Sequence, residues 1–438
     1  MTADILDPRA ALLVAPMSLY QKVGVTVTLL LCMLDGFDVF AATFAAPAIK
    51  AAWAVNQAQV GLVLSSGLLG MAAGSLLIAP AADLFGRRTM VFFSLLLMVA
   101  GDIGSSTTHN VHALMMTRAF TGLGIGTMIA IISSLAAEYA NARSRDFCMT
   151  VFGVGFPLGG TIGGFFAAYL LPHYGWPAIF LAAAGLGLFM VLIVLLFLPE
   201  PIAPMIARPK RDTLKRVNAF LSRCGMSAIA ALPPPPADAK SAPLKTLFAP
   251  GMAGATILIT SIYFLHVVSL FFVQTWVPSL IAARGFAPAQ AALVGVSLNI
   301  GGVVGGLLLG ANSMRFGLKT LVIAAMTAGA AATAAFGSIA VDFTLLAWGA
   351  VGMGFFMQGA MMGLYAVVAR SFPAHMRVSG TGLVIGIGRI GSAVGPALAG
   401  FLLTAGVARG GVTIIMAAPA LIAALLLLKF KVRSPDTP

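Results

Sequence analysis

Leu34-Asp35-Gly36-Phe37-Asp38 stands in the middle of an apolar run from Val23 to Ile49, long enough to cross a bilayer as a helix. An ionised side chain at the bilayer centre costs roughly 2.5–3.5 kcal/mol on insertion scales. Two carboxylates three residues apart, close to one helical turn and therefore on one face, call for a specific reason. A proton or ion pathway supplies one; a structural ion pair that locks two helices is the plainer alternative.

Working outward, the whole chain has the same character. Apolar residues make up 60% of its 438 positions and charged residues 9%, with 49 glycines, the balance of a polytopic helical membrane protein. Cys32, Cys148 and Cys224 lack disulfide or metal-ligand spacing and read as small apolar fillers, so no metal site and no cofactor is expected. The first apolar run exceeds a signal core and carries two acids, so it is expected to stay as a span. No Gly-x-x-x-x-Gly-Lys-Ser/Thr loop is present, which argues against a nucleotide-driven pump.

Twelve apolar stretches are expected as spans, at about 20–45, 57–80, 89–107, 111–138, 146–170, 177–198, 252–280, 288–311, 319–338, 343–369, 377–403 and 411–430. They divide the chain into a six-helix half at 1–198, a linker at 199–250 and a second six-helix half at 251–438. The linker carries the basic stretch Arg208 to Arg223 and the run Pro233 to Pro236. Its segment Leu214 to Leu221 is partly amphipathic, suited either to the inner leaflet or to a solvated loop. An even number of spans puts both termini on one side. Arg87, Arg88, Arg143, Arg145, Arg315, Arg370 and the linker cations fall on that side, against only Lys50, Arg284 and Arg409 opposite. The bias predicts cytoplasmic termini and accounts for the net charge of +13 without nucleic acid.

The halves repeat. Phe85-Gly86-Arg87 after the second span matches Phe316-Gly317 with Lys319 after the eighth, and Glu138 with Arg145 matches Arg370 with Arg377. Two parallel six-helix repeats around a central cavity predict an all-α membrane protein with substrate at the midplane. Asp83-Leu84-Phe85-Gly86-Arg87-Arg88 resembles the loop signature of the major facilitator superfamily, and Asp35-Gly36-Phe37-Asp38 is similar to the motif of its aromatic acid:proton symporters. Ala79 and Leu84 depart from that signature, in place of its first glycine and first cation. The resemblance implies transport roles for Arg118 with Glu138 and for Arg377 with Arg389. It also implies a gate in which Asp83, Gly86, Arg87, Glu138, Arg143, Arg145 and Arg377 latch an outward-open state.

Depth along each helix, at about 1.5 Å per residue, sorts the buried polar groups. Asp35 and Asp38 lie roughly 22–27 Å from the cytoplasmic end and Arg118 roughly 10 Å below the outer surface, so the three can share a level. Arg118 would then compensate one acid and leave the other to carry a proton. Arg389 lies about 18 Å in, where its guanidinium could grip a substrate carboxylate with paired hydrogen bonds. His266 is suited to proton relay, to a substrate hydroxyl or to helix packing, and Ser269, Gln274 and Trp276 follow it. Phe355, Phe356 and Gln358 near midplane could sandwich a flat ring, with Asn299 as a further polar candidate. The glycines from Gly153 to Gly160 and from Gly386 to Gly400 permit close helix approach.

The expectation is a non-enzymatic secondary transporter, monomeric in the bacterial inner membrane, importing a small aromatic carboxylate such as a hydroxybenzoate or benzoate with protons. Its partners are that acid, protons and the lipid bilayer. A proton-driven exporter of aromatic or amphipathic compounds and a non-transporting membrane receptor are the alternatives.

Overall fold

The computed structural model of the chain describes residues 7–207, 209, 212–233, 244–373 and 376–430. Among these the regular elements are all helices, and twelve are long and apolar enough to cross a membrane. They are Leu19–Trp53, Gln57–Ala81, Arg87–Ser106, Val111–Tyr139, Phe147–Tyr174, Pro177–Phe197, Ala253–Ala282, Pro288–Asn312, Leu318–Phe336, Phe343–Arg370, Ser379–Thr404 and Arg409–Lys429, hereafter the first to twelfth spans. The linker end of the bundle also holds the helix Pro8–Val14 and Lys429; the opposite end is the far end. The first span outruns its apolar stretch. It continues through Pro47 to Trp53, so Lys50 sits in its last turn rather than in a loop. Trp53 meets Trp176 edge-on at 5.2 Å, which gives those extra turns a surface to pack on.

The two halves repeat each other down to single carbonyl groups. A Cβ added to Gly70 or Gly74 in the second span would lie 2.1 Å from the carbonyl oxygen of Ala119 or Leu123 in the fourth. In the second half, a Cβ added to Gly301 or Gly305 of the eighth span would lie 2.1 or 2.0 Å from the carbonyl oxygen of Val351 or Phe355 in the tenth. Gly159 likewise faces the Met33 carbonyl between spans five and one, as Gly391 faces that of Phe264 between spans eleven and seven. Helices approach this closely only where a side chain is missing. At this register Asp35 corresponds to His266, Asp38 to Ser269 and Thr43 to Gln274. The short connections repeat too: Gly86 (φ 94°) and Gly317 (φ 80°) both occupy the left-handed region that favours glycine.

Among the described residues, two hydrogen bonds join the halves directly, and both lie toward the far end. The Ala58 N–H donates to Thr404 Oγ1 at 2.8 Å, and Ser65 Oγ donates to the Ala393 carbonyl at 2.6 Å. Gly61 packs beside the Pro396 carbonyl in the same seam, and Gly164 beside Val296. These contacts join the halves toward the far end.

The amphipathic linker segment has its apolar face covered by protein. The helix Thr213–Arg223 turns Val217, Phe220 and Leu221 inward against Ile202, Met205 and Ile206, with Leu12 and Tyr20 closing the cluster. At about 1.5–3 kcal/mol for each fully buried apolar side chain, this small core outweighs what a loop in water would offer. Arg223 Nη1 donates to Tyr20 Oη at 2.9 Å, and the Ala142 N–H donates to the Leu13 carbonyl at 2.9 Å, so the linker and the N-terminal segment both dock on the first half.

Candidate functional site

Gly36 determines how the acidic motif is presented. A Cβ there would lie 2.0 Å from the Phe156 carbonyl oxygen, so the first span presses against the fifth and turns Asp35 and Asp38 into the bundle. Both acids are at most 1% exposed. Arg118 of the fourth span pairs with Asp38: its Nη1 donates to Oδ1 at 3.2 Å and its Nη2 to the Asp38 carbonyl at 2.9 Å. Phe180 covers the guanidinium at 5.3 Å. Asp35 has no hydrogen-bond partner on either oxygen. Arg389 of the eleventh span acts on it through charge across the boundary between the halves, without a described ion pair.

Sequence reading leaves Asp102 unplaced, and the structure gives it a partner. Arg118 Nη1 also donates to Asp102 Oδ1 at 2.9 Å, and Thr121 Oγ1 reaches the same oxygen at 3.4 Å. Depth arithmetic carried the signal. Asp102 sits four residues from the far end of its span and Arg118 seven residues into the next, so the two share a level.

In the second half, Arg389 is half-buried, and its Nη1 lacks a hydrogen-bond partner. Tyr263 and Tyr365 stand beside it, their rings 6.0 Å apart. Neither tyrosine was singled out from sequence, although Tyr263 is one turn before His266 and Tyr365 two turns after Gln358. His266 is fully buried, with Nε2 on the Met357 carbonyl at 3.0 Å and Nδ1 unpartnered. Gln274 Nε2 donates to Gln358 Oε1 at 3.1 Å, and with Asn299 these amides line a cavity of about 10 Å³, room for one water molecule, that reaches Pro157 of the first half. Phe355 does not join them: it meets Phe356 edge-on at 5.0 Å, and its own turn of helix is pressed on Gly305. Ser269 and Trp276 are tied to main-chain carbonyls of Met416 and Pro396.

At the linker end, the candidate gate residues that are described bond within the first half and the linker. Arg87 pairs with Glu138, and Glu200 accepts from the Arg87 and Arg88 N–H groups at 2.9 and 3.1 Å, capping the third span. Tyr139 donates to the Pro199 carbonyl, Gly86 makes the turn beside Glu200, and Arg143 and Arg145 are exposed. The side chains of Asp83 and Arg377 lie outside the described residues.

The Major Facilitator Superfamily matches residues 28–281 and again 259–438. The chain is 31% identical over 405 residues to the 4-hydroxybenzoate transporter PcaK of Acinetobacter baylyi, covering 91% of this chain and 88% of that protein. It is 29% identical over 420 residues to the gallate transporter of Pseudomonas putida, covering 94% and 92%. In fold it is similar to the crystal structure of a D-xylose-proton symporter, with a TM-score of 0.72 over 94% of this chain and 98% of that one at 16% identity. The chain therefore belongs to the Major Facilitator Superfamily, in the branch of its aromatic acid transporters. It is a multi-pass membrane transporter rather than an enzyme.

Proposed function

We propose that the protein imports a small aromatic carboxylate, of the hydroxybenzoate or benzoate kind, by proton symport. The linker and both termini lie in the bacterial cytoplasm, the orientation that the Lys and Arg bias favours. The names of the relatives support the substrate class. One observation carries the coupling: Asp35 without a hydrogen-bond partner, and Arg389 with an unpartnered Nη1, within electrostatic reach between the halves.

A substrate carboxylate held by Arg389 takes the cation that otherwise balances Asp35. An acid left alone in that dry setting is relieved by a proton, so anion and proton load together. The aromatic ring lies beside Tyr263 and Tyr365, and the amides of Gln274, Asn299 and Gln358 are placed to meet a ring substituent or its water. Asp38 is committed to Arg118, which makes Asp35 the coupling acid. Glu138, Arg87 and the other linker-end charges act in the alternation between states rather than in binding.

Uptake of labelled aromatic acids into proteoliposomes, with and without an inward proton gradient, tests the reading. Gradient-driven accumulation is the expected result; gradient-driven loss of preloaded compound would replace import with export. Asp35→Asn mimics the protonated acid and is expected to keep counterflow of labelled for unlabelled substrate while losing accumulation. Full accumulation in that variant would remove Asp35 from the coupling role.

A further inference from the structure

The buried charge of the first half does not balance. Arg118 is one cation held by two acids, Asp38 at 3.2 Å and Asp102 at 2.9 Å, with all three side chains 1–2% exposed. If both acids were ionised, the trio would carry a net negative charge in the dry core, with Asp38 Oδ2 lacking any partner. One nitrogen, Arg118 Nη1, donates to Oδ1 of both acids, which gathers the two carboxyl groups around it. Two carboxylates are both acceptors and repel when ionised side by side, and one proton shared between them relieves that repulsion.

The neighbouring elements offer no other compensation. The second and sixth spans, packed against the fourth and third, contain no ionisable residue. The third span otherwise brings Arg87 and Arg88, and the fourth His112, Glu138 and Tyr139, all near their ends. Ionisable groups of the fifth span also lie near its ends, as does Arg315 of the eighth. The seventh span presents Tyr263 and His266, and His266 is tied to the Met357 carbonyl. On the first span, Tyr20, Lys22 and Lys50 are near the ends, Cys32 is a neutral thiol, and Asp35 is another acid, on which Arg389 acts through charge.

We propose that Asp38 and Asp102 share one resident proton beside Arg118, forming a second proton-binding site distinct from Asp35. Asp102 is the residue that makes this arrangement possible. When the proton passes from one carboxyl to the other, the O–H bond to the donor breaks as the bond to the acceptor forms, and Arg118 keeps an ionised partner throughout. With Asp38 alone, a proton on that acid would strand the guanidinium. The inference extends the proposed coupling but needs no substrate, so it stands or falls separately from import.

Infrared spectroscopy of the full chain in lipid at neutral pH reads protonated carboxyl groups directly through their C=O stretch. Asp35→Asn removes the contribution of the coupling acid and is expected to retain one such band. Adding Asp102→Asn leaves Asp38 and Arg118 as a neutral pair and is expected to abolish it. Asp35→Asn with Asp38→Asn leaves Asp102 and Arg118 as the pair, an independent second route to the same loss. Absence of a band in Asp35→Asn, or its persistence in either double variant, overturns the proposal.

Discussion

The first half carries acids at the register where the second carries neutral donors: Asp35 against His266, Asp38 against Ser269. The surrounding helix contacts fall at matching positions, since Gly159 and Gly391 face the carbonyls of Met33 and Phe264. One fold plan thus accommodates two chemistries. In the first half, charge must be balanced by charge, through Arg118, Asp38 and Asp102. In the second, hydroxyl, imidazole and amide groups bond to one another or to the main chain, and Arg389 keeps an unpartnered Nη1.

The strongest way to break this contrast is Arg118→Gln. Removing one partner from a buried ion pair costs about 3–5 kcal/mol, so thermal unfolding in detergent should show the largest loss here. A variant as stable as the parent would mean that the cluster is not balanced by Arg118. Close packing offers a second comparison: Gly36 meets the Phe156 carbonyl, whereas its register partner Val267 bears a side chain. Gly36→Ala is expected to cost about 1–3 kcal/mol by forcing the first and fifth spans apart, and the same unfolding assay would detect it.

Arg389→Lys sharpens the functional side of the contrast. It keeps the charge and loses the planar paired donors, so substrate binding measured by titration should weaken by about 1–3 kcal/mol while folding is retained. Unchanged affinity in both this variant and Arg389→Ala would move the carboxylate elsewhere. The smallest effect is expected at Ser269, whose hydroxyl donates to the Met416 carbonyl at 2.7 Å and accepts from the Ala420 N–H at 3.0 Å. Ser269→Ala should lower stability by about 1 kcal/mol. A loss as large as that of Arg118→Gln would erase the distinction between the halves.

Much of this was legible in the chain itself. The twelve apolar runs predict the spans to within a few residues at most ends, because hydrocarbon thickness and the rise of a helix set their length. The first span escaped its boundary because Pro47 is tolerated inside a packed helix and Trp53 finds Trp176. Burial of the acid pair and of Arg118 was readable from depth, whereas the partner of each charge was not. Depth fixes a level along the bundle but says nothing about rotation around a helix axis, and rotation decides that Arg118 meets Asp38 and Asp102 rather than Asp35. Tyr263 and Tyr365 were missed for the same reason. What covers the amphipathic linker segment was not legible, because its apolar face also meets Leu12 and Tyr20, far away in sequence.

The sequence by itself determined the number of spans, their repeat and the presence of costly buried charge, since each follows from local hydropathy and from motifs read in order. Tertiary structure alone decided which buried groups are satisfied. Glycines permit backbone contact at set points and so fix how each helix is turned, and that turn leaves both Asp35 oxygens and Arg389 Nη1 without hydrogen-bond partners while Asp38 and Asp102 hold Arg118. Pairing energies in a dry core depend on ångström distances between segments remote in the chain, which no local pattern encodes.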